Sequence, residues 1–158
     1  MRAVVAGILA VALAVNGLFM LAAPAAWYVT VPGVSGTGPF NAHFVRDIGA
    51  AYCVAGAALA LFAATLKARA AAQAAAAFLA LHAFVHLWDA AAGREQAHQL
   101  LIDGPTVLLP PLLAIWIAWS PAGRGADAAK TSSTKKENGN DQMAAAALDR
   151  QVRAHVEL

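Results

Sequence analysis

Two histidines four residues apart, His82 and His86, with Asp89 three further on, are the residues of this chain best placed to do chemistry. Positions i, i+4 and i+7 of a helix share a face, so the three form one polar stripe. An i,i+4 histidine pair projects both imidazoles to one side and can chelate one ion; imidazole with carboxylate suits iron, zinc, manganese or copper. Asp89 lies two turns from His82, about 10 Å along the axis. A transition metal on the histidines would therefore draw further ligands from His43, Asp47, His98 or Asp103. Haem is less suited, because two histidines on one helix face cannot sandwich an iron. The same stripe also fits a quinone, a lipid or a proton-handling site, since ionisable groups at membrane depth face protein, water or a ligand.

A purely structural role competes with these. Arg46 can pair with Asp89, Asp47 or Asp103, while the histidines bond carbonyls freed near Pro110 and Pro111, and the network then locks the helices together. In that reading His43 and His98 are solvated at the rim and Asp103 is an N-cap. Asn16 makes an interhelical hydrogen bond. Gly49, Cys53 and Gly56 are packing positions, and a single cysteine allows no intrachain disulfide.

The elements that must position the stripe are membrane spans. Of 158 residues, 60% are hydrophobic and 13% charged, with mean hydropathy +0.58, a composition too apolar for an ordinary soluble domain. The expected fold is all-α, an integral membrane four-helix transmembrane bundle over residues 1–120, with helices at about 3–23, 42–66, 70–90 and 103–119. Residues 21–26 resemble a signal-peptidase site, but the run before them is long for a signal core, and the first helix is read as retained. Trp27 and Tyr28 fit an interfacial aromatic belt. Residues 29–40, rich in Gly and Pro, form an external loop, and Asn41 caps the second helix. The alanine-rich third helix suits an inner, closely packed position. Pro110 and Pro111 imply a kink in the fourth. Residues 121–158 read as a disordered cytoplasmic tail with a candidate short helix at 143–156.

Four spans bring nine of the eleven basic residues to the side of the termini, which the positive-inside rule makes cytoplasmic. The chain is thus expected in a bacterial inner membrane, multi-pass, with both termini inside. His43, Arg46, Asp47, His82, His86, Asp89, His98 and Asp103 then share the outer half, and Asn16, at the same depth as His82, is a candidate neighbour. The inner half offers only Gln73 and Thr65, which disfavours a transport pathway, and no nucleophile and base pair suggests hydrolysis. Net charge +2 without an aromatic-lined basic patch disfavours nucleic acid.

The segment at residues 38–49, GPFNAHFVRDIG, with the His82 to Asp89 stretch behind it, resembles small bacterial four-helix membrane proteins of the broad DoxX-like group. The resemblance covers about residues 1–120 and leaves the tail unmatched. Some members of that group are membrane subunits linked to quinone-coupled sulfur oxidation, so the resemblance implies a redox-associated accessory role; it assigns no catalytic residue here. The expectation is a membrane protein whose outward His/Asp/Arg pocket binds a metal or a quinone, with the bilayer, other membrane or redox subunits and a second copy as candidate partners. The alternative is a non-catalytic accessory subunit whose polar cluster only locks its helices.

Overall fold

The computed structural model describes residues 1–36, 38–94, 101, 104–120 and 142–143, and every regular element among them is helical. The chain divides into two units, Met1–Ser120 and Pro121–Leu158. The second, with the tail helix expected at 143–156, lies outside the described residues except for Gln142 and Met143, which are helical.

Helix α1 (Arg2–Ala22) shows why these helices form as they do. Val4, Ile8, Val11, Val15 and Leu18 recur at helical spacing and are all exposed, while Ala6, Leu9, Ala10, Leu13, Gly17 and Met20 are buried on the opposite face. An exposed face made mainly of branched aliphatics suits hydrocarbon, and 21 residues rise about 30 Å, the thickness of a bilayer core. After a break at Ala23, a short helix α2 (Pro24–Thr30) follows, with Pro24 in its first turn, where a missing N–H is harmless. The loop beyond is held down by Tyr28, whose hydroxyl donates to the Gly38 carbonyl at 2.6 Å and whose ring meets Phe40.

Helix α3 (Ala42–Thr65) starts where Asn41 accepts hydrogen bonds from the His43 and Phe44 amides, as its sequence position predicted. It ends at Leu66, a non-glycine residue in the left-handed region at φ 53°, whose N–H returns to the Phe62 carbonyl. Helix α4 (Arg69–Ala91) follows after a tight turn, and Gly93, at φ 68°, supplies the positive φ that closes its far end. A π-helical turn (Gly104–Leu108) runs directly into α5 (Leu109–Trp119). The expected kink at Pro110 and Pro111 takes this form: both prolines stand in the first turn of α5, where no intrahelical donor is needed, and the irregular backbone precedes them. Asp103, expected to cap this segment, lies outside the described residues.

Helices α1, α3 and α4 are each long and apolar enough to cross a membrane; Gly104–Trp119 is apolar but shorter. α1 packs on α3, α3 on α4, α4 on α5, and α5 touches α1. Phe62, Met20, Leu59 and Ile117 are the largest fully buried side chains. The closest approach is between α1 and α3. A methyl group built on Gly17 would lie 2.6 Å from the Gly49 carbonyl and 2.7 Å from Cys53 Sγ, and one on Gly56 would lie 2.9 Å from the Ala10 carbonyl. Close backbone approach at small residues gives van der Waals attraction between helices even where apolar burial adds little. Gly49, Cys53 and Gly56 are packing positions, as their sequence context suggested. The alanine-rich α4 lies between α3 and α5 and buries Ala72, Ala75, Ala76, Leu79 and Ala83. Its small side chains face the small side chains of α3, leaving an apolar cleft of about 260 Å³ lined by Ala51, Val54, Ala55, Ala58, Ala74, Ala75 and Phe78.

Candidate functional site

His82, His86 and Asp89 do share a half-buried face of α4. Both histidines belong to a run of aromatic rings. Phe78, one turn before His82, stacks with its imidazole at 6.1 Å between centroids, and Tyr52 from α3 meets both rings edge-on at 5.6 Å. His86 continues the column, 5.0 Å from His82 and edge-to-face. Tyr52, Phe78, His82 and His86 thus form one continuous run of rings along the α3–α4 seam. Phe78 belongs both to this run and to the wall of the apolar cleft, so the two adjoin. The column sets two imidazoles and a phenol hydroxyl beside an apolar cleft.

Tyr52 is buried in this seam, and among the described residues no protein group hydrogen-bonds its hydroxyl. A buried hydroxyl without an acceptor costs on the order of 1–3 kcal/mol, which a ligand carbonyl would recover.

The remaining expected site residues go elsewhere. Asp89 accepts from Arg94 Nη1 at 2.8 Å, and the Arg94 amide returns to the Asp89 carbonyl, a local clasp closing the end of α4. Among the described residues it is not paired with Arg46, one of the alternatives, with Asp47 and Asp103, that the structural reading gave that arginine. Arg46 Nε donates instead to the Leu21 carbonyl, at 3.3 Å, in the last turn of α1, where a cation also favours the helix dipole. His43 and Asp47 face each other at 3.4 Å, one turn apart on the exposed start of α3. Asn16 does not meet His82. Its side-chain oxygen accepts from the Trp27 indole at 2.9 Å, which turns α2 back onto α1 and packs the half-buried Trp27 against the core. His98 and Asp103 lie outside the described residues.

The metal expectation fares accordingly. Among the described residues no group of three or more His, Cys, Asp or Glu side chains comes together to hold an ion. His82 and His86 supply two donors, but Asp89 is engaged by Arg94 and the His43–Asp47 pair is a separate contact on α3. The clustered histidines amount to one pair.

Sequence reasoning missed Tyr52 and Phe78. Phe78 precedes His82 by four residues, so its place on the same face was readable; Tyr52 reaches the column only through the packing of α3 on α4, which leaves no local trace. It also counted Arg2 and Arg69 only as charges. Both donate to one atom, the Ser120 carbonyl, at 2.6 and 2.9 Å. Comparisons of this chain with protein-family models, with curated proteins and with solved structures find no match.

Proposed function

We propose that this protein is a four-helix inner-membrane protein that binds a quinone in the α3–α4 seam and serves a redox-associated role. The observation that carries the reading is the contiguity of the Tyr52–Phe78–His82–His86 column with the apolar cleft. A quinone has an aromatic-sized head with two carbonyl acceptors and an aliphatic tail. The head packs against the column and accepts from the Tyr52 hydroxyl, while the tail lies in the alanine-lined cleft. Such sites are mainly apolar with a few convergent polar groups, as here. Phe78 separates the two halves of the site, with ring contacts on one side and aliphatic contacts on the other.

Gly104–Trp119 is the fourth span, and its 16 residues, about 24 Å, are accommodated by local thinning of the bilayer. The excess of basic residues at the termini and the α3–α4 turn supports a cytoplasmic position for that side. His82, nine residues before the end of α4, then lies about 13 Å below the outer surface, within quinone reach. The resemblance to DoxX-like proteins supports the redox association and a membrane or redox subunit as partner.

The competing reading, a non-catalytic subunit whose polar residues fasten its helices, draws support from the half-buried packing of His82 and His86. Titrating a short-chain ubiquinone into detergent-purified protein, with tryptophan fluorescence and thermal unfolding as readouts, separates the two. The His82→Gln, His86→Gln variant stays folded and loses about tenfold or more in quinone affinity if the site is a ligand site. Unchanged affinity, or wild-type protein that binds no quinone and a variant that unfolds, assigns the rings to structure.

A further inference from the structure

At the opposite end of α4 from His86, three helix ends meet. The first residue of α1, Arg2, and the first residue of α4, Arg69, both reach the residue that ends α5. Arg2 Nη1 and Arg69 Nη2 donate to the same Ser120 carbonyl oxygen, at 2.6 and 2.9 Å. Ser120 is the C-cap of α5, and its own hydroxyl turns back to the Trp116 carbonyl at 2.6 Å. Two cations are therefore drawn to one neutral acceptor, whose helix dipole offers only about half a negative charge. Among the described residues neither arginine meets a carboxylate; the ion pairs shown there are His43–Asp47 and Asp89–Arg94. Each guanidinium has five N–H donors, and these contacts use one from each. Both side chains are half-buried, so solvent screens their mutual repulsion less than it would at a free surface. Lys67 adds a third cation in the turn that leads to Arg69.

We infer that Arg2 and Arg69 form a site for a phosphate-bearing anion, the headgroup of an anionic phospholipid. A phosphodiester carries one negative charge on two free oxygens and matches the planar fork of a guanidinium. The level in the molecule fits a lipid source. The site lies where the apolar helices end, and Trp116 and Trp119, both exposed in the last turn and a half of α5, are placed as interfacial anchors. Acyl chains of a lipid so held run along the exposed aliphatic face of α1, where Val4 and Ile8 are closest to Arg2 in sequence. The inference is independent of the quinone site, which shares none of these residues.

The test uses the full-length protein in a neutral detergent, with its thermal unfolding followed while phosphatidylglycerol, phosphatidylcholine or inorganic phosphate is added in turn. Phosphatidylglycerol is expected to raise the unfolding temperature saturably, phosphatidylcholine to have little effect, and inorganic phosphate none at equal concentration. Arg2→Gln with Arg69→Gln removes two surface cations, and apparent affinity for phosphatidylglycerol falls about thirtyfold. Should that variant fail to fold, Arg2→Lys with Arg69→Lys keeps both charges but not the fork, and its affinity falls by a smaller factor. Equal stabilisation by phosphatidylcholine, or full phosphatidylglycerol affinity in a folded arginine variant, overturns the site. Stabilisation by inorganic phosphate alone overturns the lipid assignment.

Discussion

Tyr52 is where the ligand reading and the structural reading make opposite predictions. Its ring is packed on Phe78 and His82, so the aromatic contacts need the ring, while its hydroxyl has no protein partner among the described residues. Tyr52→Phe keeps the ring and removes the unsatisfied group. Without ligand, the variant is expected to be more stable by about 1 kcal/mol in thermal or denaturant unfolding, and its quinone affinity falls about fivefold to tenfold. A destabilised variant would mean that the hydroxyl is bonded within the fold and that the seam is a lock. The residue scale is also where the sequence was least legible. Asp89 was readable as a polar member of the stripe, but Arg94, five residues on, captures it through a loop whose course no periodicity describes. Asn16 was readable as a hydrogen-bonding residue in an apolar run, and its partner, Trp27, was not, because the break at Ala23 that folds α2 back has no strong breaker of its own before Pro24.

At the scale of elements, the helices were legible because hydropathy and capping chemistry are local properties. Asn41 stands one residue before a long helical run and caps it, and Gly and Pro mark the loop before it. How the helices pair was not legible, because Gly17 meets Gly49 and Cys53 across two helices and a loop. That contact gives a prediction. Gly17→Leu forces α1 and α3 apart at their closest point, and overpacking of this kind costs about 1–3 kcal/mol. A large loss of thermal stability in detergent is expected, whereas Gly7→Leu, with open space around it, leaves stability nearly unchanged. The turn between α3 and α4 offers a change of opposite sign. Leu66 holds a left-handed conformation that costs an L-residue about 1–2 kcal/mol, so Leu66→Gly relieves strain and stabilises the protein by about 1 kcal/mol. If Leu66→Gly is instead destabilising, the contacts of its half-exposed side chain outweigh the strain.

The helical unit Met1–Ser120, taken as a whole, has two differentiated ends. Arginines cap helix C-termini at both: Arg46 at the end of α1, and Arg2 with Arg69 at the end of α5. Between them, the seam of α3 and α4 carries both the ring column and the cleft, while the α1–α3 seam is closed by backbone contact. This asymmetry follows from composition. Glycine opposite glycine brings α1 and α3 together, whereas the cleft between α3 and α4 is lined mostly by alanine. The membrane character was legible in bulk hydropathy. The site's apolar half was not, because a cleft is made by what two distant helices jointly fail to fill.

The central claim is that a quinone occupies that space with its head among the rings. Photolabelling with a quinone carrying an azide on its ring, followed by peptide mapping, tests it most directly. Labels are expected on Tyr52 and between Phe78 and His86, competed away by unlabelled quinone and lost in the His82→Gln, His86→Gln variant. Labels spread without competition over the exposed faces of α1 and α5 would contradict the claim and leave the ring column as a device that fastens α3 to α4.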